Sequence, residues 1–288
     1  MAEILDGRKL ARDIQHRLKD EVVQYKNQIG RIPRMVNIMI GDDHGTCAYA
    51  RSQQKAADSI GISYDLKLLP EGISQEDLIQ LVQDLNNDES VNGILIHRPV
   101  PEHIDYPAVA NFVNINKDLE GINIINIGKM MLGETHLMPC TPAAVMEHIF
   151  STQIDLKGKE VVIVGSSAIV GKPLCLLLLK QMATVSVCHI ETSRAGLLPD
   201  YTKRADILIV AVGKARLIKG DWIKEGAIVV DVGINQVDNK IVGDVDFEEA
   251  QNRASYITPV PGGVGPVTVV MLMRNGLEAF KKQNNLVN

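Results

Sequence analysis

The sequence predicts an α/β fold built as two α/β domains, and three observations predict it. Over the first half, short apolar runs alternate with amphipathic stretches of helical period. A second alternation follows the proline cluster Pro139–Pro142. Within it, four β-branched residues, Val161–Val164, run into Gly165, and Gly171 then opens an apolar helix over Leu174–Leu179. Strand and helix in alternation argue for parallel sheets with helices outside.

In chain order, Glu3–Leu5 reads as a short strand. Gly7–Ile29 reads as a long helix with Leu10, Ile14, Leu18 and Val22 on one face. Met35–Ile40 is a strand, and Thr46–Ile60 a helix ended by Gly61. Tyr64–Leu68 is a strand. Ser74 caps a helix over Gln75–Leu85, with Asp77 three residues on as a capping-box acid. Gly93–Ile96 is a buried strand stopped by Pro99 and Pro101. The second half offers strands at Val161–Val164, Thr184–Cys188, Ile207–Val212, Ala227–Val232 and near Tyr256–Thr258, runs that suit a sheet buried on both faces. The last helix spans Val267–Lys282. The expected domains are residues 1–138 with the C-terminal helix 267–288, and a Rossmann-type domain over 139–266.

Composition narrows the possibilities. A chain of 288 residues, 45% hydrophobic and 23% charged, can form two cores. The net charge is −5 with no basic cluster, which argues against nucleic acid and anionic membranes as partners. No apolar run is long enough to span a bilayer, and MAEILDGRKLARDI carries no secretory pattern, so a cytoplasmic location is expected. Cys47, Cys140, Cys175 and Cys188 form no C-x-x-C pair, which suggests mostly buried thiols in a reducing compartment. The seven histidines are scattered, and no metal site is expected.

The stretch VVIVGSSAIVGKP, residues 161–173, is a strand, a glycine turn and a helix start, the arrangement that receives a dinucleotide pyrophosphate. An ordinary strand-to-helix turn shares the pattern. Glu191, 20 residues past Gly171 at the end of the next strand, stands where an acid holds a ribose 2′-OH. Asp231-Val-Gly-Ile234 and Val212-Gly213 end strands beside the crevice where such sheets bind ligands. Thr258–Thr268 packs three prolines and three glycines around valines, which suits a rigid ligand loop better than a linker. Tyr49 and Gln53, four residues apart, share a helix face. His97-Arg98 leaves two polar side chains at a strand end, and Asp118-Leu-Glu-Gly121 follows in a loop.

Together these motifs resemble the bifunctional methylenetetrahydrofolate dehydrogenase/methenyltetrahydrofolate cyclohydrolase family, the FolD proteins. The likeness covers nearly the whole chain. It is carried by Ile4-Leu5-Asp6-Gly7, Tyr49, Gly93–Ile96 with Pro99-Val-Pro101, Lys117-Asp118-x-x-Gly121 and Pro139-Cys-Thr-Pro142. Further on it is carried by Gly165-x-Ser167-x-Ile-Val-Gly171, Asp231-Val-Gly-Ile-Asn235, Gly243-Asp-Val-Asp246 and Pro259–Pro266. The resemblance implies two α/β domains flanking a cleft, a homodimer, and a tetrahydrofolate-type substrate. Tyr49, Gln53, His97 and Glu120 would be catalytic. Ile96, Arg98, Pro261, Gly262, Gly263, Val264 and Gly265 would bind substrate. Gly165, Ser166, Ser167, Ile190, Glu191, Thr192 and Ile234 would hold the cofactor.

Four departures from the family pattern fall in these sites. Gln53 stands for a lysine, His97-Arg98 for Gln-Leu, Glu120 for an aspartate, and Ser166 for an arginine. In the family that lysine supports the cyclohydrolase step. Glutamine does not titrate usefully, so loss of full cyclohydrolase activity is expected, with His97 as a partial replacement. Hydride transfer needs mainly positioning, so oxidation of 5,10-methylenetetrahydrofolate to the methenyl form is the expected activity. Ser166 removes a partner for a 2′-phosphate, and Glu191 would repel one, so NAD is favoured over NADP. Two alternatives stand beside this reading: a paralogue acting on another cyclic amine or one-carbon adduct, and a non-catalytic nucleotide-binding protein.

Overall fold

The structure, a computed structural model, describes residues 1–134 and 136–286. Residue 135, within the expected range 1–138, and residues 287 and 288, at the end of 267–288, lie outside the described residues. The chain opens with β1 (Glu3–Ile4), α1 (Gly7–Ile29), β2 (Arg34–Ile40), α2 (His44–Ile60), β3 (Ser63–Leu69), α3 (Gln75–Asn87) and β4 (Gly93–Ile96). Then come α4 (Tyr106–Ala110), α5 (Ile124–Met131), α6 (Cys140–Ser151), β5 (Glu160–Val164), α7 (Gly171–Lys180), β6 (Thr184–Cys188), α8 (Ile190–Arg194) and α9 (Leu198–Thr202). The chain finishes with β7 (Ile207–Val210), β8 (Ile228–Asp231), the pair β9 (Asn235–Val237) and β10 (Lys240–Val242), α10 (Phe247–Ala250), β11 (Tyr256–Ile257) and α11 (Val264–Gln283). Two compact units result: Met1–Ala11 with Thr141–Thr268, and Arg12–Cys140 with Val269–Asn288.

The second of these holds a three-stranded parallel sheet, ordered β3-β2-β4. Val36, Ile38 and Ile40 of β2 and Ile94 and Ile96 of β4 bury one face of it against Leu78, Val82 and Leu85 of α3. Ser74 starts α3 as expected: its Oγ accepts from Asp77 N at 3.0 Å and its hydroxyl donates to the Asp77 carboxylate at 2.8 Å. On α1, Ile14, Leu18 and Val22 are buried at helical spacing, while Leu10 is only half-buried.

The other unit holds a six-stranded sheet ordered β1-β11-β8-β7-β5-β6, parallel throughout. Val162, Val164, Leu208, Val210 and Val229 fill one face, and Val161, Ile163, Ile207, Ile209 and Val230 are equally buried on the other. One expectation fails here. The strand at Glu3–Ile4 does not open the first alternation; it pairs with β11, Glu3 opposite Tyr256 and Ile4 opposite Ile257. A two-residue strand has no period by which its sheet can be read.

Two further differences have local causes, and a third concerns the cysteines. Helix α6 escaped notice because Ala143, Ala144, Val145, Met146, His148 and Ile149 are all buried, which leaves no polar stripe to mark a helix. Helix α11 begins three residues early, at Val264, because Pro266 falls in its first turn, where a missing N–H costs nothing. The cysteines are free, but only Cys188 is buried and the other three are half-buried.

Candidate functional site

In the three-stranded unit the strand order reverses direction between β2 and β4, so a crevice is expected at their carboxyl ends. Helix α2 enters that region. Asp43 caps it by accepting from Thr46 N at 2.8 Å, and Gly61, at φ 92°, ends it. Tyr49 and Gln53, one turn apart, project from one face. Tyr49 meets the His97 ring edge-on, with centroids 6.2 Å apart. Gln53 is fully buried: its Oε1 accepts from the Tyr64 hydroxyl at 3.0 Å, and its Nε2 has no hydrogen bond of good geometry. Burial, reinforced by Cys140, pushes the Tyr49 hydroxyl up to about 12, although 41% of the residue's surface stays exposed; the Gln53 amide pulls the other way.

His97 follows β4 and is 4% exposed, with an unpartnered Nε2. Burial pushes its imidazole down to about 4, which holds it neutral at physiological pH and weighs against the expected proton-handling role. Ile96 is placed differently from expectation. Its side chain lies in the core with Val36 and Ile38, on the face opposite His97, because successive strand residues alternate sides.

The segment 117–121 shows how a loop is tied down to aim one side chain. Lys117 is buried, and its Nζ donates to the carbonyls of Leu85, Asn86 and Asp88 at 2.8–3.0 Å, closing the end of α3. Asp118 accepts from Gly121 N, Asn123 N and Asn126 Nδ2. Both are structural. Asn275 Nδ2 donates to the carbonyls of Leu119 and Met138 at 2.8 and 2.7 Å. What remains to face the site is Glu120. Its Oε2 accepts from the Tyr106 hydroxyl at 2.5 Å, and its Oε1 lies 3.5 Å from Arg98, whose guanidinium stacks over the Tyr106 ring. Burial raises the Glu120 carboxyl, while Tyr106 and Arg98 draw it back down.

Tyr64, Tyr106, Asn275 and Asn37 were not singled out from the sequence. Asn37 had a signal, as the one amide inside the apolar run RMVNIMI, and it proves fully buried with neither side-chain polar atom hydrogen-bonded. The other three lie far from their partners in sequence and carry no local mark.

In the six-stranded unit β6 lies to one side of β5 and the strands β7, β8 and β11 to the other, so the switch point falls between β5 and β7. Gly165, at φ 127°, and Gly171 sit there. A Cβ on Gly165 would stand 2.3 Å from Ala211 O, and one on Gly171 would stand 2.0 Å from Gly165 O. The protein's own backbone therefore demands both glycines, before any ligand does. Ser167 ties the turn to the start of α7: its Oγ accepts from Val170 N at 3.1 Å and its carbonyl from Lys172 N at 3.0 Å. With Leu174 N bonded to the Val170 carbonyl and Pro173 lacking an N–H, Gly171 N is the first-turn donor left for an anion.

Glu191 is not at a strand end. It lies in the first turn of α8, paired with Arg194 at 2.5 Å, both well exposed. Thr192 Oγ1 caps α8 by accepting from His189 N, while Ile190 and Ile234 are 63% and 69% exposed. Beside them two buried carboxylates fix the loops after β7 and β8. Asp244 accepts from Val212 N, Gly213 N, Lys214 N and Asn235 Nδ2, and Asp231 from Gly233 N, Asp244 N and Val245 N. Burial pushes Asp231 up to about 7 against those donors. The loop Pro259–Pro266 belongs to the same unit: with Arg8, Ile234 and Ile241 it lines a cavity of about 220 Å³. Pro261, Gly262, Gly263 and Gly265 line it, and Val264 is 5% exposed.

Residues 5–120 match the tetrahydrofolate dehydrogenase/cyclohydrolase catalytic-domain family, and residues 139–284 match the NAD(P)-binding domain of the same family. A relative from Bacillus licheniformis, bifunctional protein FolD, is 48% identical over 98% of both chains. The solved bifunctional FolD of Campylobacter jejuni is 43% identical, with a TM-score of 0.94 over 100% of both chains. The Trypanosoma brucei FolD, solved with NADP cofactor and inhibitor, is 38% identical, with a TM-score of 0.93 over 98% of both chains. The chain thus belongs to the tetrahydrofolate dehydrogenase/cyclohydrolase family and is an NAD(P)-dependent oxidoreductase of one-carbon folate metabolism, a methylenetetrahydrofolate dehydrogenase.

Proposed function

We propose that this enzyme is an NAD-preferring 5,10-methylenetetrahydrofolate dehydrogenase with weak cyclohydrolase activity. One observation carries the reading: the cluster of Tyr49, Gln53 and His97 holds no group poised to exchange a proton near pH 7. Tyr49 keeps its proton, His97 stays neutral and Gln53 does not titrate. Hydride transfer needs no proton from the protein, so such a cluster serves it by orientation alone. Hydrolysis of the methenyl group needs water activated and protons moved, for which this cluster is poorly equipped. Burial raises the Glu120 carboxyl, and Tyr106 and Arg98 commit it to accepting hydrogen bonds.

On the cofactor side the residues fit a dinucleotide. The Gly165–Ser167 turn and Gly171 N at the start of α7 would take the pyrophosphate, and Ile190 and Ile234 would line the adjacent edge. The bound dinucleotide supplies the hydride acceptor. Glu191 can accept from a free 2′-OH, and Ser166 offers no cation to a 2′-phosphate, which supports NAD over NADP. Pro261–Gly265 would contact the substrate. Exposed Leu66 and Leu68 on the edge strand β3 support pairing with a second copy, and four free thiols fit the cytoplasm.

A coupled assay tests this by following methenyl formation and decay with each dinucleotide. The expected result is faster reduction of NAD than of NADP and slow methenyl decay. A preference for NADP, or decay as fast as formation, overturns it.

A further inference from the structure

Two of the departures from the family pattern, Arg98 and Glu120, touch each other, and both touch Tyr106. The Tyr106 hydroxyl donates to Glu120 Oε2 at 2.5 Å, Arg98 Nη2 lies 3.5 Å from Oε1, and the guanidinium sits 5.0 Å above the Tyr106 ring. Tyr106 is itself held in place: it opens α4, whose N-cap Asp105 accepts from Ala108 N, and Pro107 presets the first turn. The Glu120 side chain, anchored by these contacts, keeps 23% of its surface exposed.

We propose that Tyr106 is a positioning residue that, together with Arg98, holds the Glu120 carboxylate in place as the acceptor for the substrate's N–H groups. A glutamate is one methylene longer than an aspartate and has one more torsion to order. The phenol and guanidinium supply the two contacts that remove this freedom, and they leave lone pairs free on both oxygens. The groups around Glu120 are Tyr49 from α2, Arg98 after β4, Tyr106 from α4, Asp118 in its own loop and Cys140 at the head of α6, which in turn feels Arg274 of α11. Of these, Tyr106 and Arg98 favour the ionised form, while Asp118 opposes it. The proposal rests on the folate reading for the identity of the ligand.

The test compares Y106F and R98L in the natural background with Y106F in an E120D background. In the natural background Y106F raises KM for methylenetetrahydrofolate about tenfold with kcat nearly unchanged, as expected when one charge-assisted hydrogen bond to the binding group is lost. The acidic limb of kcat/KM moves up by about one pH unit, because the ionised carboxyl has lost a donor. R98L moves that limb the same way. With aspartate at position 120, too short to reach Tyr106, the Y106F change does nothing further. Unchanged KM and limb in Y106F, or the same shift in the E120D background, overturns the proposal. A wild type that does not turn over methylenetetrahydrofolate overturns the substrate reading instead. The carboxyl titration of Glu120 by NMR in the free protein then still decides, by whether Y106F raises it.

Discussion

The carboxyl ends of the two sheets differ in what they offer a ligand. In the three-stranded unit the candidate groups are side chains: Tyr49, Gln53, His97 and Glu120 are each placed by one helix, strand or tethered loop, and several polar atoms are buried without partners. In the six-stranded unit the candidate surface is backbone. Gly165 lets the turn pack onto Ala211 and Gly171 lets the helix start pack onto Gly165, and Asp231 and Asp244 gather seven N–H donors from the neighbouring loops and strand ends. A site made of side chains can change its chemistry by substitution while its fold stands. A site made of backbone is tied to the fold, so its defining residues are structural first.

The sharpest way to break this comparison is Asp244→Ala. It strands four donors at once, and a loss on the order of 3 kcal/mol or more is expected in thermal unfolding, with weaker dinucleotide binding. An unfolding temperature close to that of the wild type would show that water replaces the carboxylate and that the edge is less rigid than its hydrogen bonds suggest.

Next comes Gln53→Lys in the other unit. Restoring a titratable amine should raise methenyl hydrolysis on the order of 100-fold, about 2.7 kcal/mol in barrier, with dehydrogenase turnover little changed. A rate equal to that of the wild type would mean that the cyclohydrolase step does not depend on this position.

The smallest effect is expected from His97→Gln. With a neutral ring above about pH 4, kcat should be flat from pH 6 to 8, and the variant should differ by less than about threefold. Stability provides the signed check. The folded pKa lies below the unfolded value of about 6.5, so the unfolded chain takes up this proton first and stability falls as pH drops from 6.5 towards 4. The variant should lose His97's share of that fall and keep the share of His148, which burial likewise pushes down to about 4. An inflection in kcat near 6.5 would restore His97 as a proton carrier.

The long elements were legible because each carries a period or a punctuation mark: the stripe along α1, the Ser74–Asp77 cap, and the β-branched runs of β5 to β8. The motifs were legible too, but not always their work. Lys117 and Asp118 read as part of a family motif, and their hydrogen bonds tether the loop that carries Glu120. The glycines of the dinucleotide turn read as room for phosphate, and they are first of all room for the protein's own carbonyls.

By itself the sequence determined the α/β class, the alternation that builds both sheets, the family and the four departures from its pattern, since all of these are written in residue type and spacing. Only the tertiary structure decided that β1 joins the second sheet, that Ile96 faces the core, that Glu191 is paired with Arg194, that His97 is neutral, and that Tyr106 holds Glu120. Each of these depends on which residues distant in sequence become neighbours and on how much water is excluded between them, and neither quantity is local.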